Sequence, residues 1–419
     1  MRNLAVSILV VASLAHADVP VETLGQVEDL PEPFSPHWFW ASDPILERVS
    51  LVDYTRNAVL GSVDGGWGIT VPLFPQQDSR EFYVPETYYS RGTRGERTDL
   101  VAVYDSVTLT PVAEIIIPPK RAHNALPNAN AMLTDDEQFV AVFNMTPAQS
   151  ISIVDVGNRR FVEEIPTPGC SLTYPAGERR IMMICGDGAL LFLTLDSDGS
   201  LLHKQRTEPF FDPQKDPITE KGVRVGDTWH FVSFEGYLYS VDTAAPIDDP
   251  VAMFPPPWSL VSDAERQDRW RVGGRQFLAI HEASQTAYVL LHQGEIDTHK
   301  TGGTHLWTFD LSSRQKTGAY KLVSPGFTFS GVPTEFGTDW IWPFNQLYTA
   351  LAGISFVEPH ARPDAIVVTQ GSDPTLILGG QFSGMVAIYN ATDMTFQHRV
   401  TTGNYSNLAL LLPGWGAKE

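Results

Sequence analysis

One short pattern of apolar and polar positions recurs along the chain: three to five mostly apolar residues closed by an acidic or amide side chain, then a turn and a more polar run. It occurs as Val49–Asp53, Leu100–Asp105, Ile151–Asp155, Leu191–Asp196, Tyr237–Asp242, Leu306–Asp310 and Val386–Asn390, seven copies in all. A second β-rich run precedes each copy: His37–Trp40, Glu81–Val84, Phe139–Phe143, Ile181–Ile184, Trp229–Phe234, Ala287–Leu291 and Leu376–Gly380. Val, Ile, Tyr, Phe and Trp dominate these runs, and Gly, Asp, Asn or Pro bound them, as strands require. A carboxylate at the end of a strand accepts from the amides of the following turn, so the recurrent Asp is read as structural and not catalytic.

The first five copies are spaced by about forty to fifty residues, the length of a four-stranded propeller blade. The pattern therefore predicts an all-β chain, a seven-bladed β-propeller over residues 35–419, preceded by an arm at 18–34. Two wider gaps imply insertions. Trp258–Gly274 carries one short inserted helix, with Ser262 and Glu265 as a capping box and Gly273-Gly274 as its stop. Residues 324–364, rich in Pro, Gly and aromatics without periodicity, read as an elaborated loop.

The N-terminus reads as an export signal. Arg2 is followed by the apolar stretch Leu4–Leu14 and by Ala15-His16-Ala17, so residues 1–17 are expected to be removed between Ala17 and Asp18. The expected location is the periplasm. No later run has the length and purity of a transmembrane helix.

Composition narrows the partners. With 43% hydrophobic and 19% charged residues the chain is a folded one, and its 49 acidic against 29 basic side chains leave a net charge of −20. Such a surface repels phosphate, which argues against nucleic acid and anionic lipid and favours a small cation or a basic protein. Cys170 and Cys185 are the two cysteines. In an oxidising compartment they are expected to pair across a hairpin, worth about 3 kcal/mol on the chain-entropy view. A reactive thiol or a metal pair is the alternative, against which stand the absence of CxxC spacing and of a nearby His.

Catalytic motifs are missing. There is no GxGxxG, Walker loop, HExxH or GxSxG. Asp196-Ser-Asp198-Gly199 has the start of a calcium loop without its remaining ligands, and reads as a tight turn. His292, Asp297 and His299 could form a metal site, but hydrogen-bonded loop histidines are the preferred reading. Asn144, Asn390 and Asn404 open glycosylation sequons. The aromatic clusters 37–40 and 340–344 suit either an apolar entry channel or packing between blades, with packing favoured. No catalytic, cofactor-binding or metal-binding residue is assigned.

Several stretches resemble the heavy subunit of the quinoprotein amine dehydrogenases, the methylamine and aromatic amine dehydrogenases. They are Thr93–Asp99 with Val101–Asp105, Ile117–Arg121, Ser150–Asp155, Gly169-Cys170 with Ile184–Gly188, Trp258–Glu265, Trp270–Gly274 and Thr298–Lys300. The likeness runs from about Val49 to Leu322, the cysteine spacing matches the family's single heavy-chain disulfide, and several motifs favour the aromatic amine branch. The resemblance implies a seven-bladed propeller in a periplasmic assembly of two heavy and two light chains. It places the cofactor, tryptophan tryptophylquinone, and the catalytic base on the light chain. It also implies oxidative deamination of a primary amine to an aldehyde and ammonia, with electrons passed to a blue copper protein. The segment Asp43–Glu47 is shorter than the family's loop and lacks its channel aromatic. The alternative is an exported, non-catalytic propeller binding a protein or small ligand; a calcium-dependent propeller hydrolase is a third possibility.

Overall fold

A computed structural model describes residues 29–31, 34–68, 71–75, 80–123, 128–324, 362–380 and 383–412. The export signal with Ala17 and Asp18, most of the 18–34 arm, the 340–344 aromatic cluster and most of the 324–364 insertion lie outside the described residues.

The chain folds as a seven-bladed β-propeller of consecutive antiparallel sheets. Blade 1 holds Trp38–Asp43, Arg48–Asp53 and Ala58–Asp64, and blade 2 holds Glu81–Tyr89, Arg97–Asp105 and Pro111–Ile117. Blade 3 is Ala131–Leu133, Phe139–Asn144, Ser150–Asp155 and Arg160–Pro166; blade 4 is Cys170–Pro175, Arg180–Cys185, Leu190–Leu195 and Leu201–Arg206. Blade 5 is Val223–Val225, Thr228–Val232, Tyr237–Asp242 and Trp258–Ser259. Blade 6 is Leu278–His281, Thr286–Gln293, His305–Asp310 and Gln315–Lys321, and blade 7 is Ala365–Val368, Thr375–Gly379, Met385–Asn390 and Phe396–Thr401.

Every predicted repeat falls on the third strand from the axis, and its terminal residue caps the next turn. Asp53 Oδ1 accepts from the amides of Thr55 (2.9 Å) and Arg56 (3.0 Å), and Asp105 Oδ1 from Val107 (3.0 Å) and Thr108 (2.8 Å). Asp155, Asp242, Asp310 and Asn390 serve their own turns in the same way. Aromatic packing is resolved toward the core: Trp38, Phe39 and Trp40 are buried, and Trp40 lies against Phe74 and Phe82 between blades 1 and 2.

The inserted helix is present, but only Asp263–Gln267 is helical, with the Ser262–Glu265 capping box formed. The rest of the insertion joins the sheets: Trp258–Ser259 edges blade 5, and Trp270–Val272 pairs with Thr286–Gln293. A second one-turn helix, Pro250–Met253, is capped by Asp249 and started by its proline. The cysteines form a disulfide. Cys170 and Cys185 are directly opposed across the first hairpin of blade 4. Their amides donate to Thr167 and Ala189 and not to each other, so the pair is of the narrow, non-hydrogen-bonded kind.

The ring closes through the C-terminal end of the chain. Ala409–Leu411 pairs with Trp38–Asp43 and supplies the innermost strand of blade 1. Ahead of it, Asn404 is buried, donates to Ala41 O (3.0 Å) and accepts from Ser50 Oγ (2.8 Å). Asn144, in another sequon, is equally buried and donates to the hydroxyls of Ser150 and Ser152. These two sequon asparagines are structural. Replacing Asn404 by Ala strands two buried polar groups at the closure, and we expect a loss of about 2 kcal/mol in chemical denaturation; an unchanged midpoint would refute the closure role.

Candidate functional site

Two features are candidates: one loop-bearing face and the axial cavity. The hairpins between the second and third strands lie beside the crossings from one blade to the next, because antiparallel order returns both to the same end of each sheet. The contacts bear this out. Trp67 N donates to Thr87 O, Gly186 N to Gly169 O, Phe234 N to Pro217 O, Gly274 N to His299 O and Thr402 N to Gly384 O. The short Asp43–Glu47 hairpin belongs to this face. Asp43 Oδ1 accepts from the amides of Ile45 (2.8 Å) and Leu46 (3.2 Å), and its Oδ2 accepts from the amides of Tyr405 and Ser406 in the crossing from blade 7. Ile45, Leu46 and Tyr405 are thereby held together and exposed. Tyr88, Met145 and Ile296 are also exposed on loops or strand ends of this face.

Beneath the face, blades 2 and 3 are joined by a buried polar network. Arg97 makes two 2.8 Å bonds to Asp99, whose Oδ2 also accepts from the Arg121 amide at 2.7 Å. Arg97 donates to Arg121 O (2.7 Å), and Arg121 Nε to Thr87 Oγ1 (3.0 Å). Next to it Glu86 is buried, receiving hydrogen bonds from Tyr88 (2.7 Å) and Tyr104 (2.9 Å). Burial pushes its carboxyl up to about 7, with the two tyrosine hydroxyls opposing the shift.

The axial cavity has a volume of about 910 Å³, lined by the innermost strands of blades 1 to 6. Between its ends the walls are mainly apolar, with Met132, Leu278 and Leu411 among them. Its charges differ in balance between the ends. Lys221 and Arg275, before the innermost strands of blades 5 and 6, and Lys300, in a hairpin of blade 6, lie at the loop-face end together with Glu220. Asp135, Glu282 and Arg224 lie at the other, where Arg224 and Asp135 form a bidentate pair at 2.6 and 2.9 Å.

The remaining motifs resolve into packing. Thr298 Oγ1 donates to Glu295 O (2.6 Å), so His292 Nε2, 2.8 Å from that hydroxyl, is the donor to it. Burial, with Arg362 and Arg271 adding repulsion, holds His292 down to about 4, so it is neutral. Its ring fills the space a Cβ on Gly273 or Gly294 would need. His299 instead stacks on Phe234 at 3.9 Å. Asp196 and Asp198 accept from amides of their own tight turn. Among the described residues, no three metal-ligating side chains converge, and no helix is long and apolar enough to cross a membrane. The axial cations and the apolar rim carry no signal in a single sequence, because ring closure alone brings them together.

The matching family is described as methylamine dehydrogenase heavy chain, and it aligns over residues 40–322, blades 1 to 6. The chain belongs to this family. Two relatives are named methylamine dehydrogenase heavy chain. The protein from Methylophilus methylotrophus is 28% identical over 276 residues, 65% of this chain and 66% of the relative. That from Methylobacillus flagellatus is 29% identical over 268 residues, 64% and 65%. The chain thus matches slightly less than two thirds of their length. Among solved structures, dihydro-heme d1 dehydrogenase NirN superposes with a TM-score of 0.54 at 15% identity, over 92% of this chain and 77% of that one. The Swd1 β-propeller domain of Myceliophteria thermophila gives 0.52 at 9%, over 88% and 98%. These likenesses are of fold.

Glu86 generates a test of the network. Its folded value lies above its unfolded one, so its contribution to stability is full below about 4.5 and is lost as pH rises through about 7. In denaturant titrations from pH 4 to 8, Glu86→Gln is expected to lose that decline, worth about 3 kcal/mol across the window. Parallel curves for the two proteins would show that Glu86 titrates normally.

Proposed function

We propose that this chain is the heavy subunit of a periplasmic amine dehydrogenase. The observation that carries the proposal is membership of the methylamine dehydrogenase heavy chain family over six consecutive blades. In this reading residues 1–17 direct export, and a separate light subunit docks on the loop face and bears tryptophan tryptophylquinone and the catalytic base. The quinone, when present, is the electron sink for oxidation of a primary amine to aldehyde and ammonia, and a blue copper protein accepts the electrons. Two heavy and two light chains make the assembly.

This chain's own contribution is a rigid surface. Ile45, Leu46 and Tyr405, fixed by Asp43, and the exposed Tyr88, Met145 and Ile296 offer apolar side chains suited to burial under a protein partner. The net charge of −20 favours approach of a cationic amine and of a basic partner.

The decisive experiment is purification from the native source, with intact mass and visible absorbance of whatever accompanies the chain. A small, cysteine-rich companion with a Trp–Trp cross-link and a quinone band is expected; a lone, colourless propeller would favour a non-catalytic binding protein. Leu46→Asp tests the face. It should leave thermal stability within about 0.5 kcal/mol, because the side chain is exposed, while reducing recovery of the companion about tenfold or more. Full recovery of the companion would move the docking site elsewhere.

A further inference from the structure

The loop-face end of the axial cavity concentrates positive charge in a protein that is strongly negative overall. Lys221, Arg275 and Lys300 converge there, and Lys221 feels Lys300 and Arg275 as repulsive neighbours. Two acids answer the three cations. Arg275 Nε is 3.5 Å from Asp364 Oδ2, and Lys221 Nζ is 3.9 Å from Glu220 Oε1, a long contact. Among the described residues, Lys300 has no carboxylate within ion-pair distance. The Lys221 side chain is only 14% exposed and its ammonium lies 5.3 Å from the Phe277 ring centroid, so a positive charge is held partly desolvated at a cavity wall. Burial lowers its pKa against the opposing pull of Glu220, with repulsion by Lys300 and Arg275 adding to the fall.

Behind the cations the walls are mainly apolar along the innermost strands, with Met132, Leu278 and Leu411 contributed by three different blades and Thr173 and Gln276 as polar interruptions. At about 910 Å³ the space is of ligand-pocket size. At the far end Asp135 is paired with Arg224, and Glu137 and Glu282 add negative charge, which disfavours a second negative group there. A site with one spare cation at its mouth, an apolar shaft and an acidic floor selects a single anionic head on an apolar body.

We propose that the axial cavity binds a monocarboxylate with a medium-length apolar chain, its head seated on Lys221, Arg275 and Lys300 and its chain lying along the shaft. This does not depend on the amine dehydrogenase proposal. The readout is carboxylate binding and not amine oxidation, so the two fail separately.

The test is isothermal titration calorimetry of the full exported protein, with any companion it carries, at low salt. The probes are octanoate, octylamine and inorganic phosphate. Saturable binding of octanoate with a stoichiometry near one per chain is expected, with octylamine and phosphate at least about tenfold weaker. Lys300→Glu, at an exposed position, should weaken octanoate about tenfold or more without a change in melting temperature, and Lys221→Met should do the same independently. Four results would each overturn the proposal: no heat with octanoate, equal affinity for octylamine, equal affinity for phosphate, or octanoate affinity unchanged in both variants.

Discussion

Everything in this molecule depends on one pairing, that of Ala409–Leu411 with Trp38–Asp43. Six blades are built from strands that follow one another in the chain, but blade 1 obtains its innermost strand from the opposite end of the sequence. The contacts that fix this strand join residues from opposite ends of the sequence, as in the pairing of Leu411 with Trp40 and the Asn404–Ala41 bond, the latter 363 positions apart. Closing so long a loop costs entropy that local hairpins do not pay. The closure is correspondingly well held: Leu410 is buried, Gln276 of blade 6 donates to its carbonyl and accepts from its amide, and Asp43 collects the amides of Tyr405 and Ser406. The shape of the cavity and the placement of the loop face follow from that closure.

The fold was legible in the sequence to the extent that it is local. Each third strand ends in a residue whose side chain must satisfy the next turn, so Asp53, Asp105, Asp155, Asp242, Asp310 and Asn390 mark the blades by chemistry as well as by spacing. The capping box at Ser262 and the opposed cysteines were legible for the same reason. The innermost strands were not. Ala131–Leu133 and Val223–Val225 have three residues each, and blade 2 shows only a bridge between Leu73 and Tyr83 in that position. Runs so short carry no periodicity, because their partners and not their composition hold them in place. The cavity is made of those strands, so its lining could not be read in advance. The one-turn helix at Pro250–Met253 escaped for a similar reason.

The acidic balance has two meanings once the structure is known. A share of the carboxylates is committed to turns. Asp53, Asp105 and Asp310 are held below their usual range, in the first two against a burial cost, by amides and hydroxyls of their own turns. Their charge is a by-product of blade construction and says little about partners. Against it, the cations at the mouth of the cavity come from two crossings and one hairpin, positions that blade construction leaves free. A charge pattern imposed by the fold and one opposed to it are distinguishable here, and the second is the more informative about ligands.

The stretches that carry the family likeness supply contacts that hold blades and loops together. Thr93–Asp99 and Ile117–Arg121 supply the Arg97–Asp99–Arg121 network that locks blade 2 to blade 3. Trp270–Gly274 gives the glycine that accommodates His292, and Thr298–Lys300 gives the hydroxyl that accepts from it. A network of this kind holds loops at fixed heights above the sheets, since a buried ion pair that loses one partner is strongly destabilised. Support of this kind suits a chain that presents a surface to a partner, the role proposed for it above. In that proposal the apolar rim is the surface offered to the partner, and the axial channel, with its separate charge pattern, is the site proposed for a ligand.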